Sequence, residues 1–350
     1  MPPKRKAGNA AYIQLKKDIA AGTPGPLYVF WGEEAYLRDH CLARMKKALL
    51  SPGMEAFNFH VLPGKDLTLQ TLSQTVDTLP MMSERTLILV SDYDMFKAPA
   101  ETRDALAALF ADLPPYCCLV FVYDVVAYKP DARTKLAAAI KRHGAAVEFA
   151  RQEQGDLIDW ISRRFKALGH DIDSRDAQYL IFLCGDLMHT LISEIGKISA
   201  YAKGRRVTRQ DIDTVAVPVL DAVVFQMTDA IARGDFDRAA AVMGDLLHMQ
   251  EPPIKILSVM GRQLRQIYSA RLALEAGKDT GYLVSLWGLR SAYPAEKWMG
   301  AARRFSLAWC REAVIRCAQA DLAMKSVTGA DAQALLVDLL LALANEKRSN

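Results

Sequence analysis

Apolar residues recur every three or four positions from residue 67 to residue 79, which predicts an amphipathic helix. Pro80 should end this helix near Leu79, because the residue before a proline is pushed out of the helical region. A continuous apolar run at residues 87–90 then predicts a strand that is buried on both faces. Met81 and Met82 lie at the corner between helix and strand, where neither element explains two large apolar side chains.

The same alternation of strand and helix continues from residue 27 to residue 151. Because strands separated by helices form parallel sheets with helices on both faces, this part predicts an α/β domain. The predicted strands cover residues 27–31, 56–62, 86–90, 117–123 and 146–149. In such sheets, ligands bind beyond the carboxyl ends of the strands, and these ends carry Gly32, Asp92, Asp94 and Asp124.

After residue 151 the apolar pattern is helical throughout. Gly, Pro, Ser and Asp residues separate the predicted helices, and Thr208 followed by Asp211 predicts a capping box. We therefore predict three domains: an α/β domain at 1–150, a small helical domain at 151–216 and an all-helical domain at 217–350.

Composition indicates an intracellular globular protein. The formal net charge of +4 names no partner by itself, and no apolar run reaches the roughly 18 residues of a membrane span. The six cysteines show no metal-binding spacing, so we expect reduced core thiols, a cytoplasmic location and no membrane association. The basic stretch Lys4–Arg5–Lys6, without an apolar segment after it, predicts a tail and not a secretion signal or anchor.

The turn after the first strand lacks the residues of a phosphate-binding loop. That chemistry needs several glycines, a lysine and a Ser or Thr, whereas this turn offers Gly32 followed by Glu33 and Glu34. We expect both carboxylates in the first helical turn, where they would repel a nucleotide phosphate. The sequence therefore predicts that the site binds no ATP, and it predicts no cofactor.

The aspartates at the strand ends allow two interpretations. Asp92, Asp94 and Asp124 could form a metal-binding or acid–base site, or they could be turn formers and helix caps. No lysine, histidine or glycine-rich loop accompanies them. The histidines are scattered, and no catalytic residues are predicted.

Several segments, taken in order, resemble one family, the delta subunit of the bacterial DNA polymerase III clamp loader. They are LYVFWGEEAYL, TLPMM followed by ERTLILV, GDLMHTLISEIGKISAYA, DAIARGDFDRAA, EPPIKILSVMGRQLRQI, ARRFSLAW and ADLAMKS. The resemblance extends from about residue 27 to about residue 344. It implies an AAA+-like domain that has lost its ATP site, a helical lid and a collar domain that joins a pentameric loader.

The family resemblance also implies partners. They are the sliding clamp (the beta subunit), the delta-prime and gamma or tau subunits of the loader, and primer–template DNA within the complex. The chain would bind and open the clamp as part of the DNA polymerase III holoenzyme, a DNA-directed DNA polymerase, without hydrolysing ATP.

Carried over to this sequence, the apolar pair that contacts the clamp falls on Met81 and Met82, next to Leu79. Many relatives have Leu-Phe or Phe-Phe here, so the methionine pair departs from the family pattern. Methionine fills irregular apolar pockets but is more flexible than an aromatic ring. The alternative is that both methionines belong to the core below the sheet.

Residues 251–325 carry 12 Lys or Arg against 6 Asp or Glu. A basic face that includes Arg262, Arg265, Arg303 and Arg304 is predicted to contact primer–template DNA. The alternative is a solvated helix face with subunit contacts.

Two other function classes remain open at this point. One is an active AAA+ ATPase of the same fold, which would have to bind nucleotide without the phosphate-loop lysine. The other is a helical scaffold or DNA-binding regulator outside replication, for which the sequence shows no recognition helix.

Overall fold

The computed structural model describes residues 8–326, 329 and 331–349; the predicted basic tail at residues 4–6 lies outside them. The chain divides into two compact units. The first comprises Met1–Gln152 and Leu187–His189, and the second comprises Glu153–Asp186 and Thr190–Asn350.

The first unit is built on a five-stranded parallel sheet, which confirms the predicted fold class. Its strands are β1 (Leu27–Trp31), β2 (Phe59–Pro63), β3 (Thr86–Ser91), β4 (Cys117–Val122) and β5 (Ala145–Glu148), in the order β2-β3-β4-β1-β5. Its helices are α1 (Gly8–Ala21), α2 (Ala35–Leu49), α3 (Glu55–Asn58), α4 (Leu69–Val76), α5 (Ala100–Ala111) and α6 (Lys135–His143).

Alternating residues of the central strands contribute their side chains to two separate apolar cores. Leu27 and Val29 of β1 pack in a cluster with residues of α4, α5 and α6, whereas Tyr28 and Phe30 pack in a cluster with residues of α1 and α2. Every residue of β4 is buried, as expected for a strand covered on both faces. The continuous apolar runs in the sequence follow from this double coverage.

Helix α1 was not predicted, and strand β2 and helix α4 differ from the prediction in their bounds. Strand β2 begins at Phe59 because Glu55–Asn58 form a short helix, in which the Asn58 side chain donates to the carbonyl oxygen of Met54. Helix α4 ends at Val76, its last fully buried residue, and not near Leu79. Just beyond it, the hydroxyl of Tyr116 donates to the carbonyl oxygen of Asp77.

The helices that follow are α7 (Gln154–Ala167), α8 (Ser174–Cys184), α9 (Met188–Ala202), α10 (Arg209–Val215), α11 (Leu220–Arg233), α12 (Phe236–His248), α13 (Pro253–Glu275), α14 (Thr280–Leu286), α15 (Ala292–Ala302), α16 (Leu307–Ser326) and α17 (Ala332–Ser349). The capping box of Thr208 and Asp211 is present at the start of α10, as predicted.

Helices α11 to α17 share one apolar core, in which the Trp309 indole donates to the carbonyl oxygen of Leu343. Helix α8 packs against α11 and α15, so residues predicted as lid and as collar fall within one compact unit. Their division into two domains at residue 216 stays a prediction.

Among the described residues, no single helix is long and apolar enough to cross a membrane. Two pairs of consecutive helices reach the required length and apolarity only when joined across bends of 119° and 111°. All six cysteines are buried and free of disulfides.

Candidate functional site

The predicted clamp-contacting residues lie in the loop that joins α4 to β3, residues 77–85, which we call the α4–β3 loop. The exposed fractions are 72% for Leu79, 53% for Met81 and 80% for Met82. Such exposure excludes the alternative that the methionines belong to the core. The loop therefore presents three large apolar side chains to the solvent.

The backbone beneath this apolar group is held by one buried side chain. Asn58, which is fully buried, accepts a hydrogen bond from the Met81 N–H (2.7 Å) and donates one to the Met81 carbonyl oxygen (2.8 Å). The Oγ atom of Ser83 accepts a further hydrogen bond from the Ser51 N–H (3.0 Å). The loop is thus attached to the body of the unit on both sides of Met82.

Met82 itself has a left-handed backbone, with φ of 51°. This region is unfavourable for a residue with a side chain, and it persists only where the surroundings enforce it. The chain bends at Met82, whose side chain lies largely in the solvent.

One further apolar residue was missed by the sequence prediction. Phe57, which directly precedes Asn58, is 52% exposed. The prediction placed it inside a strand, whereas it belongs to the short helix α3. Only the tertiary structure reveals that Phe57 directly precedes the residue that bonds to the α4–β3 loop.

The second candidate site is the crevice at the carboxyl end of β1. Only three residues, Gly32 to Glu34, separate β1 from α2. Gly32 has φ of 119°, and a Cβ there would approach the Phe149 carbonyl oxygen to 2.5 Å. The Glu34 N–H already donates to that same oxygen (2.8 Å). The turn therefore packs tightly against the backbone of Phe149, and it is too short for a phosphate-binding loop with several glycines.

The positions of the two glutamates correct the prediction that they occupy the first helical turn. Both precede α2, and Glu34 is its N-cap residue without a side-chain capping bond. Glu33 pairs with Arg151 (2.7 Å). The Glu34 side chain is buried instead, where it accepts a hydrogen bond from the Met188 N–H (3.3 Å). The carboxylate of Glu34 is thus held inside the first unit.

The aspartates at the strand ends have structural partners. One oxygen of Asp92 accepts hydrogen bonds from the N–H groups of residues 124, 125 and 126, at 2.9, 2.9 and 3.0 Å. Burial acts to raise the pKa of Asp92, but these bonds and the charge of Arg38 outweigh it and hold the pKa below its usual value.

Asp124 pairs with Arg38 (2.7 Å), and Asp94 pairs with Lys97 (2.8 Å). No group of three or more His, Cys, Asp or Glu residues in the described part of the chain is arranged to hold a metal ion. These contacts favour the structural interpretation over the catalytic one.

The predicted DNA-contacting arginines are all exposed. Arg262 and Arg265 lie on α13, while Arg303 and Arg304 directly follow α15, and these two helices pack against each other. Arg262 forms an ion pair with Asp221. Its charge is therefore partly compensated within the protein.

Two family models match the chain. The model of the DNA polymerase III delta subunit matches residues 28–150, and the model of the C-terminal domain of that subunit matches residues 221–343. Both matches fall on the segments in which the strand–helix alternation and the helical core were found.

Two curated relatives match most of the chain. DNA polymerase III subunit delta of Bacillus subtilis is 24% identical over 332 residues, which cover 93% of this chain and 94% of the relative. A probable DNA polymerase III subunit delta of Aquifex aeolicus is 20% identical over 275 residues, which cover 76% and 77%. The solved structure of the Bacillus subtilis DNA clamp loader delta protein aligns over 95% of this chain and 99% of that chain, with a TM-score of 0.56 and 24% identity. This likeness indicates a shared fold.

Proposed function

The chain belongs to the DNA polymerase III delta subunit family, and we propose that it binds and opens a sliding clamp for a clamp loader without hydrolysing ATP itself. The observation that carries this proposal is the exposed apolar group of Leu79, Met81 and Met82 on a loop whose backbone is held in place. An exposed group of this kind, attached to a rigid unit, suits insertion into an apolar pocket of a partner.

The energetics of such an insertion are favourable. Burying a Met or Leu side chain stabilises by about 1.5–3 kcal/mol relative to leaving it exposed. Because the loop is already ordered, little of this free energy is spent on fixing the backbone when the clamp binds. The flexible thioether side chains can adapt to an irregular pocket.

In this proposal the chain opens the clamp but does not itself bind or hydrolyse ATP. The short turn at Gly32, the buried Glu34 and the ion pair of Arg38 with Asp124 all argue against a bound nucleotide. ATP would be bound and hydrolysed by the gamma or tau subunits of the loader, with delta-prime completing the ring. Energy for holding the clamp open would then reach this chain through its contacts with those subunits.

The helical unit is proposed to carry assembly and DNA contact. Its helices α16 and α17 leave Ile315, Leu322, Val337 and Leu341 exposed, which suits burial against neighbouring subunits. Arg262, Arg265, Arg303 and Arg304 are proposed to face the phosphates of primer–template DNA within the complex.

The test of the proposed function is the double substitution Met81→Ala/Met82→Ala, with binding to the purified sliding clamp as the readout. We expect the affinity to fall by about a hundredfold, which corresponds to roughly 3 kcal/mol. The melting temperature should stay the same, because both side chains are exposed and their removal creates no cavity.

Met249→Ala is the matched control, since Met249 is 75% exposed but lies after α12 in the helical unit. It should leave clamp binding unchanged. Unchanged affinity of the double variant, or a loss of stability in place of a loss of affinity, would contradict the proposed role of the loop.

A further inference from the structure

Asn58 is unusual among the polar residues of the first unit because it is fully buried and has every amide hydrogen engaged. Its Nδ2 group donates to the carbonyl oxygens of Met81 (2.8 Å) and Met54 (2.9 Å), and its Oδ1 atom accepts from the Met81 N–H (2.7 Å). The three partners define the orientation of the carboxamide. If the oxygen and nitrogen were exchanged, a donor would face the Met81 N–H and an acceptor would face two carbonyls.

The two bonds to Met81 form a closed ring between the side-chain amide and the backbone. In an antiparallel sheet, a residue of the neighbouring strand would bond to both the N–H and the carbonyl of Met81. In this loop the side chain of Asn58 makes both bonds. Met81 is the residue immediately before the left-handed Met82. The ring therefore fixes the backbone directly before the strained residue whose side chain is exposed.

We propose that Asn58 is a positioning residue that locks the α4–β3 loop in the conformation that presents Met81 and Met82 to the clamp. The inference rests on the proposed function and deepens it, since Asn58 is buried and does not touch the partner. Its role is to pre-order the loop before the clamp binds.

The physical basis is the entropy of the loop. A short loop with a left-handed non-glycine residue relaxes to other conformations unless neighbouring groups enforce the strained one. Without the hydrogen bonds of Asn58, only a minor fraction of molecules would have the loop conformation that binds the clamp. The apparent affinity would then fall in proportion to that fraction. Loss of these hydrogen bonds thus lowers the affinity for the clamp, although every apolar side chain of the α4–β3 loop is still present.

The principal variant is Asn58→Asp, which keeps the shape and the acceptor for the Met81 N–H but places a carboxylate against two carbonyl oxygens. Asn58→Ala, which deletes all three bonds without adding a charge, is the second variant in case the buried carboxylate unfolds the unit. Val120→Ala is the matched control, because Val120 is fully buried in β4 and its truncation destabilises the unit away from the loop.

Two readouts are measured on the folded full-length chain. The first is hydrogen exchange of the Met81 amide, which should be slow in the wild type and in Val120→Ala, and at least about tenfold faster in the Asn58 variants. The second is affinity for the purified sliding clamp, which should fall by about tenfold or more in the Asn58 variants and stay unchanged in Val120→Ala.

A double-mutant cycle distinguishes positioning from general destabilisation. If Asn58 acts by presenting Met82, its substitution should reduce affinity much less in a Met82→Ala background than in the wild-type background. Equal losses in the two backgrounds would overturn the proposal. So would wild-type clamp affinity in an Asn58 variant, or Met81 exchange that remains slow in both variants.

Failure of the proposed function has a different signature. In that case the wild-type chain does not bind the clamp, or Met81→Ala/Met82→Ala binds as well as the wild type. If the double variant loses binding while the Asn58 variants retain it, the proposed function stands and the positioning role of Asn58 is wrong.

Discussion

The Nη1 atom of Arg38 lies 2.7 Å from the Oδ1 atom of Asp124, so that a residue of α2 is bonded across the carboxyl ends of β1 and β4. The Arg38 side chain is only 8% exposed. This ion pair occupies the crevice in which an open parallel sheet of this kind binds its ligand. An ion pair of the protein itself thus joins α2 to a residue that follows β4 at these strand ends.

The first prediction concerns nucleotide binding. The purified chain should show no heat of binding with magnesium–ATP in calorimetry, because the turn at Gly32 packs against the backbone of Phe149 and provides no lysine for the phosphates. A folded state under the same conditions is verified by thermal unfolding. A micromolar dissociation constant would favour an active ATPase of the same fold over the proposed function.

The second prediction concerns assembly. Ile315 and Leu322 are seven residues apart on α16, and Val337 and Leu341 are four residues apart on α17, so each exposed pair shares one helix face. Because a chain cut near Pro218 would divide a compact unit, point substitutions give the cleaner test. Leu322→Arg and Leu341→Arg together should prevent co-elution with the other loader subunits, since an unpaired charge would be buried in the interface.

Clamp binding is the internal control for that variant, and it should stay at the wild-type level because the α4–β3 loop belongs to the other unit. Normal co-elution of the doubly substituted chain would assign assembly to another surface.

The third prediction concerns DNA. In the assembled loader, Arg265→Ala and Arg303→Ala together should weaken binding of primer–template DNA and reduce the slope of log affinity against log salt by about two. Arg271→Ala is the control, because Arg271 lies on the same helix α13 but pairs with Glu275. Equal slopes for the double variant and the wild type would support the alternative of a solvated helix face.

The fourth prediction uses the chemistry of the methionine pair. Hydrogen peroxide transfers one oxygen atom to a thioether, which yields a sulfoxide and water, and exposed methionines react first. Met81 and Met82 should therefore be oxidised together with Met249, while buried Met45 is protected. Because the sulfoxides are polar, clamp affinity should fall by about tenfold or more.

Met81→Leu/Met82→Leu provides the comparison for this treatment, since leucine has a similar size and does not oxidise. The leucine variant should bind the clamp before and after peroxide, although its Met249 is oxidised to the same extent, as mass spectrometry can verify. Equal losses of affinity in both proteins would place the sensitive group outside the α4–β3 loop.

The sequence by itself determined the fold class, the order of the five strands and the absence of a phosphate-binding loop. These features depend on local patterns: continuous apolar runs for strands covered on both faces, helical spacing, and turn residues at the junctions. The Thr208–Asp211 capping box was predictable for the same reason, because both partners lie within one turn of helix. The methionine pair was identified from the sequence because no local element explained it.

Only the tertiary structure decided the environment of these residues. The sequence pattern allowed Met81 to be core or surface, and its exposure depends on α4 ending at Val76 and on the remote Asn58, 23 residues earlier in the chain. The same holds for Glu34, which was predicted to lie in the first turn of a helix but precedes that helix and is buried, with the N–H of Met188 bonded to its carboxylate. Such contacts join residues that are distant in the chain, and periodicity and spacing carry no information about them.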